Sequence, residues 1–397
     1  MTLRGKHAVT GERITVEFGD TASNRSASAV IEHVDPVIGR ESDDDVYLAP
    51  GFIDLQVNGF AGVDFNSPAA TRDEIARAID GVFSTGVTRF FPTVITGSPD
   101  AMLGALRNLA RSKEALASGP AMEAFHIEGP YISPEAGPRG AHPKEWVRRP
   151  DTEEFHRMQD AAQGHIRLVT IDPGWPETPS FIEQLSRQGV VASIGHTQST
   201  PQQIQDAVSA GARMSTHLGN AGTSSLPRRD NYLYAQLAED RLAASFIVDG
   251  HHLSESFLKI AFRAKGLERS VLVTDAVAPA LCEPGPYMLG NVPVQLHADG
   301  RVTLRGDGVD QNRLAGSALR MDRAISNVMR IAGVSLAQAI TMATSNPARV
   351  GRIPGRLRGI QPGERADVVK FRVVERRIQI LETWFGGTRV FQDNTLV

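Results

Sequence analysis

The side chains with the clearest chemical potential stand at the ends of short apolar segments. Glu128, His196, His217 and Asp275 each close a segment that has the pattern of a β-strand. Carboxylates and imidazoles that converge on one rim have the composition of a metal site. A single histidine at a strand end is more often a hydrogen-bonded core or rim residue, so the hypothesis depends on the shared position of all four. Other polar residues occupy similar positions, namely Asp54, Gln56, Asn58, Thr93, His126, Asp172, His251 and His252.

Eight apolar segments recur between residues 51 and 275, and most are separated by stretches with helical spacing. Continuous apolar strands that alternate with amphipathic helices are typical of parallel βα units. Eight units predict an α/β fold, a closed (β/α)8 TIM-like barrel, whose chemistry lies where the strands run into the following loops. An open doubly wound sheet is the alternative, but it has to explain polar residues at the end of every strand. The segments are GFIDLQVN, VTRFFPT, EAFHIEG, HIRLVTIDP, VVASIGHT, ARMSTHLGN, LAASFIVDGHH and RSVLVTDA.

The two ends of the chain have a different pattern, because short alternating strands and turns replace the helices. Residues 1–48 and 364–397 together predict one small β-sandwich domain formed from both termini, and residues 49–363 predict the catalytic barrel. The segment GVSLAQAITMATSNPARVGRI predicts one amphipathic helix that ends near Pro347.

The composition excludes several classes of protein. The 397 residues are 41% hydrophobic and 22% charged, as in an ordinary globular protein. A net charge of −3 gives no electrostatic reason to expect nucleic acid or an anionic membrane as partner. Cys282 is the only cysteine, and neither a signal-like apolar segment nor a run of 18 apolar residues is present. We therefore expect a cytoplasmic protein without disulfides.

Gln56 and Asn58 form an unusual pair for a chain that otherwise suggests a metal site. They are two residues apart in a strand, so their side chains point the same way. Two histidines there would bind a metal, whereas neutral amides are poor metal ligands but good hydrogen-bond partners. We expect the two amides to brace the site or to bind its water, and capping of the loop is the alternative.

The ordered set of motifs resembles the amidohydrolase superfamily and, within it, the N-acetylglucosamine-6-phosphate deacetylases. The matching stretches cover nearly the whole chain after about Ala49. They are PGFIDLQVNG, HIEGPYISPE, GAHP, IGHT, THLGNA, DGHH, LVTDA, LAGSAL and TMATSNPAR.

The resemblance implies a site with a single metal ion. The His-x-His pair of the superfamily, which helps to hold one of two metals, is replaced here by Gln-x-Asn. One divalent ion per subunit would then be held by Glu128, His196 and His217, with a position left open for water. Zinc is the first expectation, and iron, cobalt and manganese are alternatives. The resemblance also implies a homodimer.

Hydrolysis of an amide needs a strong nucleophile and a proton for the leaving nitrogen. A metal lowers the pKa of bound water, and Asp275 is placed to take the water's proton and return it to the amine. Capping of the next helix is the alternative role for Asp275. His142 is expected to donate to the substrate carbonyl as it becomes an oxyanion, a role that the resemblance also implies.

The resemblance implies that the substrate is a small N-acetylated sugar phosphate, N-acetylglucosamine 6-phosphate, and it suggests the binding residues. The phosphate would contact Asn220, Ala221, Arg228 and His252. The rest of the sugar would contact Gln56, Asn58, Ala141, Leu314, Ala315 and Gly316.

The sequence departs from the family in the segment that follows Ala221. Gly222 and Thr223 stand where Met and Pro are expected, and LPRRDNYLY replaces the usual segment. Arg228 lies in this divergent stretch, and an ordinary solvated surface arginine is the alternative there. A deacylase for another N-acyl substrate, an unphosphorylated amino sugar or an N-acyl amino acid, is therefore the alternative function. A barrel that has lost catalysis is disfavoured, because all four rim residues are present.

Overall fold

A computed structural model describes residues 1–19, 29–37, 45–306 and 308–394. None of the described helices combines the length and hydropathy that crossing a bilayer would require. The strands are β1 (Thr2–His7), β2 (Arg13–Phe18), β3 (Ile31–Pro36), β4 (Val46–Pro50), β5 (Phe52–Val57), β6 (Gly59–Phe60), β7 (Val63–Asp64), β8 (Val87–Ile95), β9 (Phe125–Glu128), β10 (Ile166–Ile171), β11 (Val191–Ile194), β12 (Met214–Ser215), β13 (Ala243–Ile247), β14 (Ser270–Val273), β15 (Gly285–Leu289), β16 (Val292–Leu296), β17 (Val302–Leu304), β18 (Val368–Val374), β19 (Arg377–Phe385) and β20 (Thr388–Gln392). The α-helices are α1 (Arg72–Phe83), α2 (Pro99–Ala115), α3 (Ala136–Arg139), α4 (Thr152–Ala161), α5 (Thr178–Arg187), α6 (Pro201–Ala210), α7 (Tyr232–Ala238), α8 (Glu255–Lys265), α9 (Met321–Ile331), α10 (Leu336–Met342) and α11 (Ser345–Val350).

Eight parallel strands, β5 and β8 to β14, form the central barrel and occur in sheet order as they do along the chain. The barrel closes where the backbone just beyond β14 meets β5. The Asp275 N–H donates to the Gln56 carbonyl at 3.0 Å, and the Asn58 N–H donates to the Ala276 carbonyl at 2.7 Å. The predicted (β/α)8 fold is confirmed, and each of the eight apolar segments coincides with all or most of one barrel strand.

Local sequence signals explain where the surrounding helices begin. Thr71 and Glu74 form a reciprocal capping box at the start of α1, and Thr200 and Gln203 form another at the start of α6. Each box satisfies backbone N–H groups that have no partner inside the helix. The buried residues of these helices pack against the barrel strands. The apolar residues that recur at helical spacing in the sequence therefore form the helix face that covers the barrel.

Strands from both termini form a second sheet of seven strands, in the order β20-β19-β18-β4-β1-β2-β3. β4 connects the two halves, because it pairs parallel with β1 and antiparallel with β18. Phe18 of β2 and Trp384 of β19 are not on neighbouring strands, yet their rings meet at 5.5 Å. The sheet therefore curls around a core of its own, as predicted for a β domain built from both ends. The division at residues 48/49 and 363/364 stays a prediction.

Two features differ from the sequence-based expectation. The single helix predicted to end near Pro347 is wrong, because α10 stops at Met342 and α11 begins at Ser345 with Pro347 in its first turn. Proline is tolerated there, since the first N–H groups of a helix have no partner to lose. A three-stranded antiparallel sheet, β15 to β17, follows the eighth barrel strand and was not predicted.

Candidate metal centre and active site

Three predicted ligands converge at the carboxyl ends of the barrel strands. Glu128 ends β9, His196 follows β11 and His217 follows β12. Glu128 Oε1 lies 3.0 Å from His196 Nε2 and 2.8 Å from His217 Nε2. The two Nε2 atoms are 3.2 Å apart. All three residues are buried, and among the described residues they form the one group of three or more whose atoms could hold a metal ion.

The hydrogen bonds around His196 show that this group suits a cation. Its Nδ1 lies 2.9 Å from the Pro138 carbonyl oxygen, which can only accept a hydrogen bond. Nδ1 therefore carries the hydrogen, and Nε2 of the neutral ring has a lone pair. This lone pair faces the Glu128 carboxylate and the second imidazole nitrogen, that of His217. A carboxylate, this lone pair and a second imidazole nitrogen at one point are a donor set that suits a cation, so the residues present fit a divalent metal.

The backbone at this rim adopts conformations that non-glycine residues rarely occupy. The φ angles of His196, His217 and Asp275 are +51°, +29° and +51°. Such left-handed conformations cost free energy and are retained where surrounding structure fixes them, commonly at functional sites. The turn after each of these three strands therefore aims a functional side chain into the rim.

Gln56 and Asn58 connect the carboxylates of the site. Gln56 Nε2 donates to Glu128 Oε1 at 2.9 Å and to Asp275 Oδ1 at 3.1 Å. Asn58 Nδ2 donates to the same Asp275 oxygen at 2.7 Å. The two amide groups thus brace the site, because they hold Asp275 beside Glu128.

Asp275 lies in an environment that suits a proton carrier. Burial, together with the nearby negative charge of Glu128, raises the pKa of Asp275 to about 8. The pKa of Glu128 is held well below its usual range, because the neighbouring imidazoles of His196 and His217 outweigh the effect of burial. A nearby cation would favour the ionised form of Asp275 and make it a competent base. Paired carboxylates with opposite pKa shifts are typical of sites that move protons.

His142 is also at the rim, and its ring packs edge-on against His196 with centroids 4.4 Å apart. Burial lowers the pKa of His142 to about 3, so the ring is neutral and carries one hydrogen. Its Nδ1 lies 2.8 Å from the Thr96 hydroxyl, whose other acceptor, the Glu128 carbonyl, is 3.5 Å away. The shorter contact favours donation from Thr96 to Nδ1, which leaves the hydrogen on Nε2. His142 can then donate a hydrogen bond.

A cavity of about 630 Å³ opens above these residues. It is large enough for a small polar metabolite. Most of the sequence-predicted site residues line it, namely Asn58, Glu128, Ala141, His142, His196, His217, Asn220, Ala221, His252, Asp275, Leu314, Ala315 and Gly316.

Two predicted residues do not line the cavity. Gln56 lies beneath the rim and reaches the site only through Glu128 and Asp275. Arg228 is an exposed residue of the loop after β12. Its assignment to a phosphate therefore has no support from its position in the structure and stays a prediction.

The polar side of the cavity also contains His252, whose side chain is only 8% exposed. Its Nδ1 lies 2.6 Å from Asp249 Oδ2, and the same carboxylate accepts the backbone N–H groups of His251 and His252. Because a carboxylate can only accept, Nδ1 donates to it and Nε2 is left for a ligand. The continuous apolar run of β13 could not reveal this support, since Asp249 lies beyond the strand.

The cavity residues that the sequence analysis did not select include Arg313 and Tyr232. Arg313 precedes the LAGS segment, and Tyr232 begins α7 in the divergent loop. The Tyr232 hydroxyl accepts the Thr223 N–H at 3.0 Å, and a Cβ added to Gly222 would lie 2.0 Å from the same oxygen. Gly222, the departure noted in the sequence, is therefore the residue that makes room for Tyr232.

Comparisons with known proteins agree on the family of the chain. A model of the amidohydrolase family matches residues 47–392. An N-acetylgalactosamine-6-phosphate deacetylase from Escherichia coli O157:H7 is 31% identical over 384 residues, covering 96% of this chain and 98% of the other. An N-acetylglucosamine-6-phosphate deacetylase from Bacillus subtilis is 32% identical and covers 87% and 85%. The structure is similar to an aspartate-to-alanine mutant of the Mycobacterium smegmatis N-acetylglucosamine-6-phosphate deacetylase in complex with N-acetyl-D-glucosamine-6-phosphate, with a TM-score of 0.86, 29% identity and 99% of both chains covered.

Proposed function

The chain belongs to the amidohydrolase family, and from that premise we propose that it hydrolyses the N-acetyl group of N-acetylglucosamine 6-phosphate. The products are glucosamine 6-phosphate and acetate. The observation that carries the proposal is the buried group of Glu128, His196 and His217 beside Asp275 at the cavity floor. The names of the Bacillus subtilis and Mycobacterium smegmatis relatives support the same substrate.

The residues of this chain can supply each proton transfer that amide hydrolysis requires. A divalent ion at Glu128, His196 and His217 would lower the pKa of a water molecule and polarise the acetyl carbonyl. Asp275 accepts the proton of the attacking water and returns it to the amine nitrogen as the C–N bond breaks. His142 donates through Nε2 to the carbonyl oxygen, on which negative charge develops. Gln56 and Asn58 keep the Asp275 carboxylate in place during both transfers.

The remaining cavity residues are proposed to bind the sugar phosphate. Asn220, Ala221 and His252 offer amide, backbone and imidazole donors, and Ala141 with the Leu314–Gly316 segment covers the sugar. Gly316 is required there, because a Cβ would lie 2.3 Å from Val277 Cγ1 and its φ is +65°. The segment can therefore pass close to the strand end that carries Asp275.

A second candidate substrate is N-acetylgalactosamine 6-phosphate. It is favoured by the Escherichia coli relative of that name, whose alignment spans 96% of this chain. The two sugars differ only in the configuration of one ring hydroxyl, so the same rim chemistry serves both. The choice between them depends on contacts to that hydroxyl from the loops that line the cavity.

Three further properties belong to this proposal. The ion is zinc, with iron, cobalt and manganese as alternatives, because two imidazoles and a carboxylate suit each of them. One ion binds per subunit, since Gln56 and Asn58 are engaged with the carboxylates. The protein acts as a homodimer, as the family resemblance implies, and it acts in the cytoplasm, which suits a chain whose one cysteine cannot form an intrachain disulfide.

The test is acetate release by the purified protein from a panel of four substrates. These are the 6-phosphates of N-acetylglucosamine and N-acetylgalactosamine, unphosphorylated N-acetylglucosamine, and an N-acetyl amino acid. The proposal predicts the highest kcat/KM for N-acetylglucosamine 6-phosphate, and the second candidate predicts it for the galactose epimer. Turnover of the N-acetyl amino acid alone would contradict both.

A further inference from the structure

Arg313 is a cation in the substrate cavity that the proposed reaction has not yet used. Among the described residues that line the cavity, it is the only arginine or lysine. It is half-buried and directly precedes Leu314. Arg228 and Arg229, by contrast, are both exposed and outside the cavity lining.

The guanidinium of Arg313 has neutral partners only. Its Nη1 donates to the carbonyl oxygens of Ala136 at 3.1 Å and Gly140 at 3.3 Å. No carboxylate of the described part of the chain forms an ion pair with it, and its Nε and Nη2 have no acceptor there. A partly buried cation loses hydration, so a cavity position without a counter-charge favours an anionic ligand.

The contacts of Gly140 place Arg313 close to the reaction centre. A Cβ added to Gly140 would lie 3.6 Å from His196 Cε1 and 3.9 Å from Ala221 Cβ. The carbonyl that Arg313 binds thus belongs to a residue that lies beside both a metal-site imidazole and the proposed phosphate loop. Arg313 therefore reaches the space between the rim and that loop, where the far end of a sugar phosphate has to lie.

We propose that Arg313 binds the phosphate dianion of the substrate and sets the preference for phosphorylated over unphosphorylated N-acetylhexosamine. This inference rests on the proposed function. The fork of guanidinium N–H groups matches phosphate oxygens, and Arg313 has donors free for them. The competing role is a clamp on residues 136–142, which carry His142. A clamp would affect every substrate equally, whereas a phosphate contact affects only phosphorylated ones.

The experiment compares Arg313→Met with Arg313→Gln in the full-length protein. Glutamine retains N–H donors for the carbonyls of Ala136 and Gly140 but lacks the charge. Both variants should lower kcat/KM on the sugar phosphate by about 10- to 100-fold, chiefly through KM. On the unphosphorylated sugar, kcat/KM should change by less than about threefold. Arg305→Met is the matched control, because Arg305 is exposed on the same segment and outside the cavity, and it should change neither value.

A binding measurement gives the same comparison without turnover. Calorimetry should show that Arg313→Met and Arg313→Gln weaken binding of glucosamine 6-phosphate but not of glucosamine. An equal loss for both ligands, or a loss with methionine but not with glutamine, would assign Arg313 to the clamp and overturn the inference. An unchanged affinity would overturn it as well.

The result also separates this inference from the proposed function. Wild-type protein that releases no acetate from either sugar phosphate refutes the proposed function. If the wild-type protein is active and both Arg313 variants remain selective for the phosphorylated sugar, only the role of Arg313 is refuted.

Discussion

The strand-end rim and the loop of residues 219–233 belong to one cavity but are built in different ways. At the rim, the side chains of Glu128, His196 and His217 are 4%, 6% and 4% exposed, and each is tied to other buried groups. Most of the loop is exposed, and residues 224–230 contain no helix or strand. Changes in the loop cost little in the core, whereas changes at the rim leave buried polar groups without partners. The reaction is therefore fixed by the rim, and the substrate can vary with the loop.

Removal of the metal should have the largest effect, because the proposed reaction depends on an ion at Glu128, His196 and His217. We expect one divalent ion per chain in the purified protein, and dialysis against a chelator should abolish acetate release. Restoring one equivalent of zinc should restore activity. Elemental analysis and the acetate assay measure both quantities on the same sample. Two tightly bound ions per chain would show that Gln56 and Asn58 do not exclude a second metal.

Asp275→Asn should leave the metal in place and remove most of the turnover. The amide keeps the size of the side chain but cannot accept the water's proton, and general acid–base catalysis contributes about 10²- to 10⁴-fold to the rate. We expect kcat to fall by that factor with unchanged metal content. Near wild-type turnover at full metal content would mean that another group transfers the proton.

The same contrast explains which features the sequence could predict. Glu128, His196, His217 and Asp275 were found because parallel strands bring their carboxyl ends to one rim, a consequence of topology alone. The left-handed backbone at three of these residues could not be predicted, since only glycine adopts it freely. The barrel itself followed from eight apolar segments with helices between them.

The sequence did not predict features that depend on contacts between segments far apart along the chain. The sheet of β15 to β17 has prolines and glycines in or beside its short strands, which in sequence indicate turns. Arg313 follows that sheet, and the motif that placed Leu314–Gly316 at the sugar gave no signal for the arginine before it. Arg228 rests on the resemblance alone, and its exposed position in the loop leaves that assignment a prediction.

Arg228 and Arg229 allow a test of whether the exposed loop of residues 219–233 takes part in substrate binding. If Arg228 reaches the phosphate when substrate is bound, Arg228→Met should lower kcat/KM on the sugar phosphate by about 10- to 100-fold. Arg229→Met, the neighbouring control, should leave the value unchanged. The measurement is steady-state kinetics on phosphorylated and unphosphorylated sugar. Equal, small effects of the two variants would make Arg228 an ordinary surface residue.

The smallest expected effect concerns Gly222 and Tyr232, which lie where the sequence of this loop departs from the family pattern. A Cβ at position 222 would lie 2.0 Å from the Tyr232 hydroxyl, so Gly222→Ala must displace the ring from the cavity wall. We expect kcat/KM to fall by up to about tenfold, equivalent to about 1.4 kcal/mol. Tyr232→Phe alone loses the hydrogen bond from the Thr223 N–H, a contribution of about 0.5 to 1.5 kcal/mol.

Combining the two substitutions tests whether the pair acts as a unit. Without the hydroxyl, the nearest ring atom would be 3.1 Å from the added Cβ, a contact that a small shift can relieve. Gly222→Ala together with Tyr232→Phe should therefore cost less than the sum of the single losses, which a double-mutant cycle on kcat/KM measures directly. Strict additivity would mean that the ring and the glycine act independently. In that case the departure at position 222 would need an explanation other than room for Tyr232, and the loop would lose its clearest link to substrate choice.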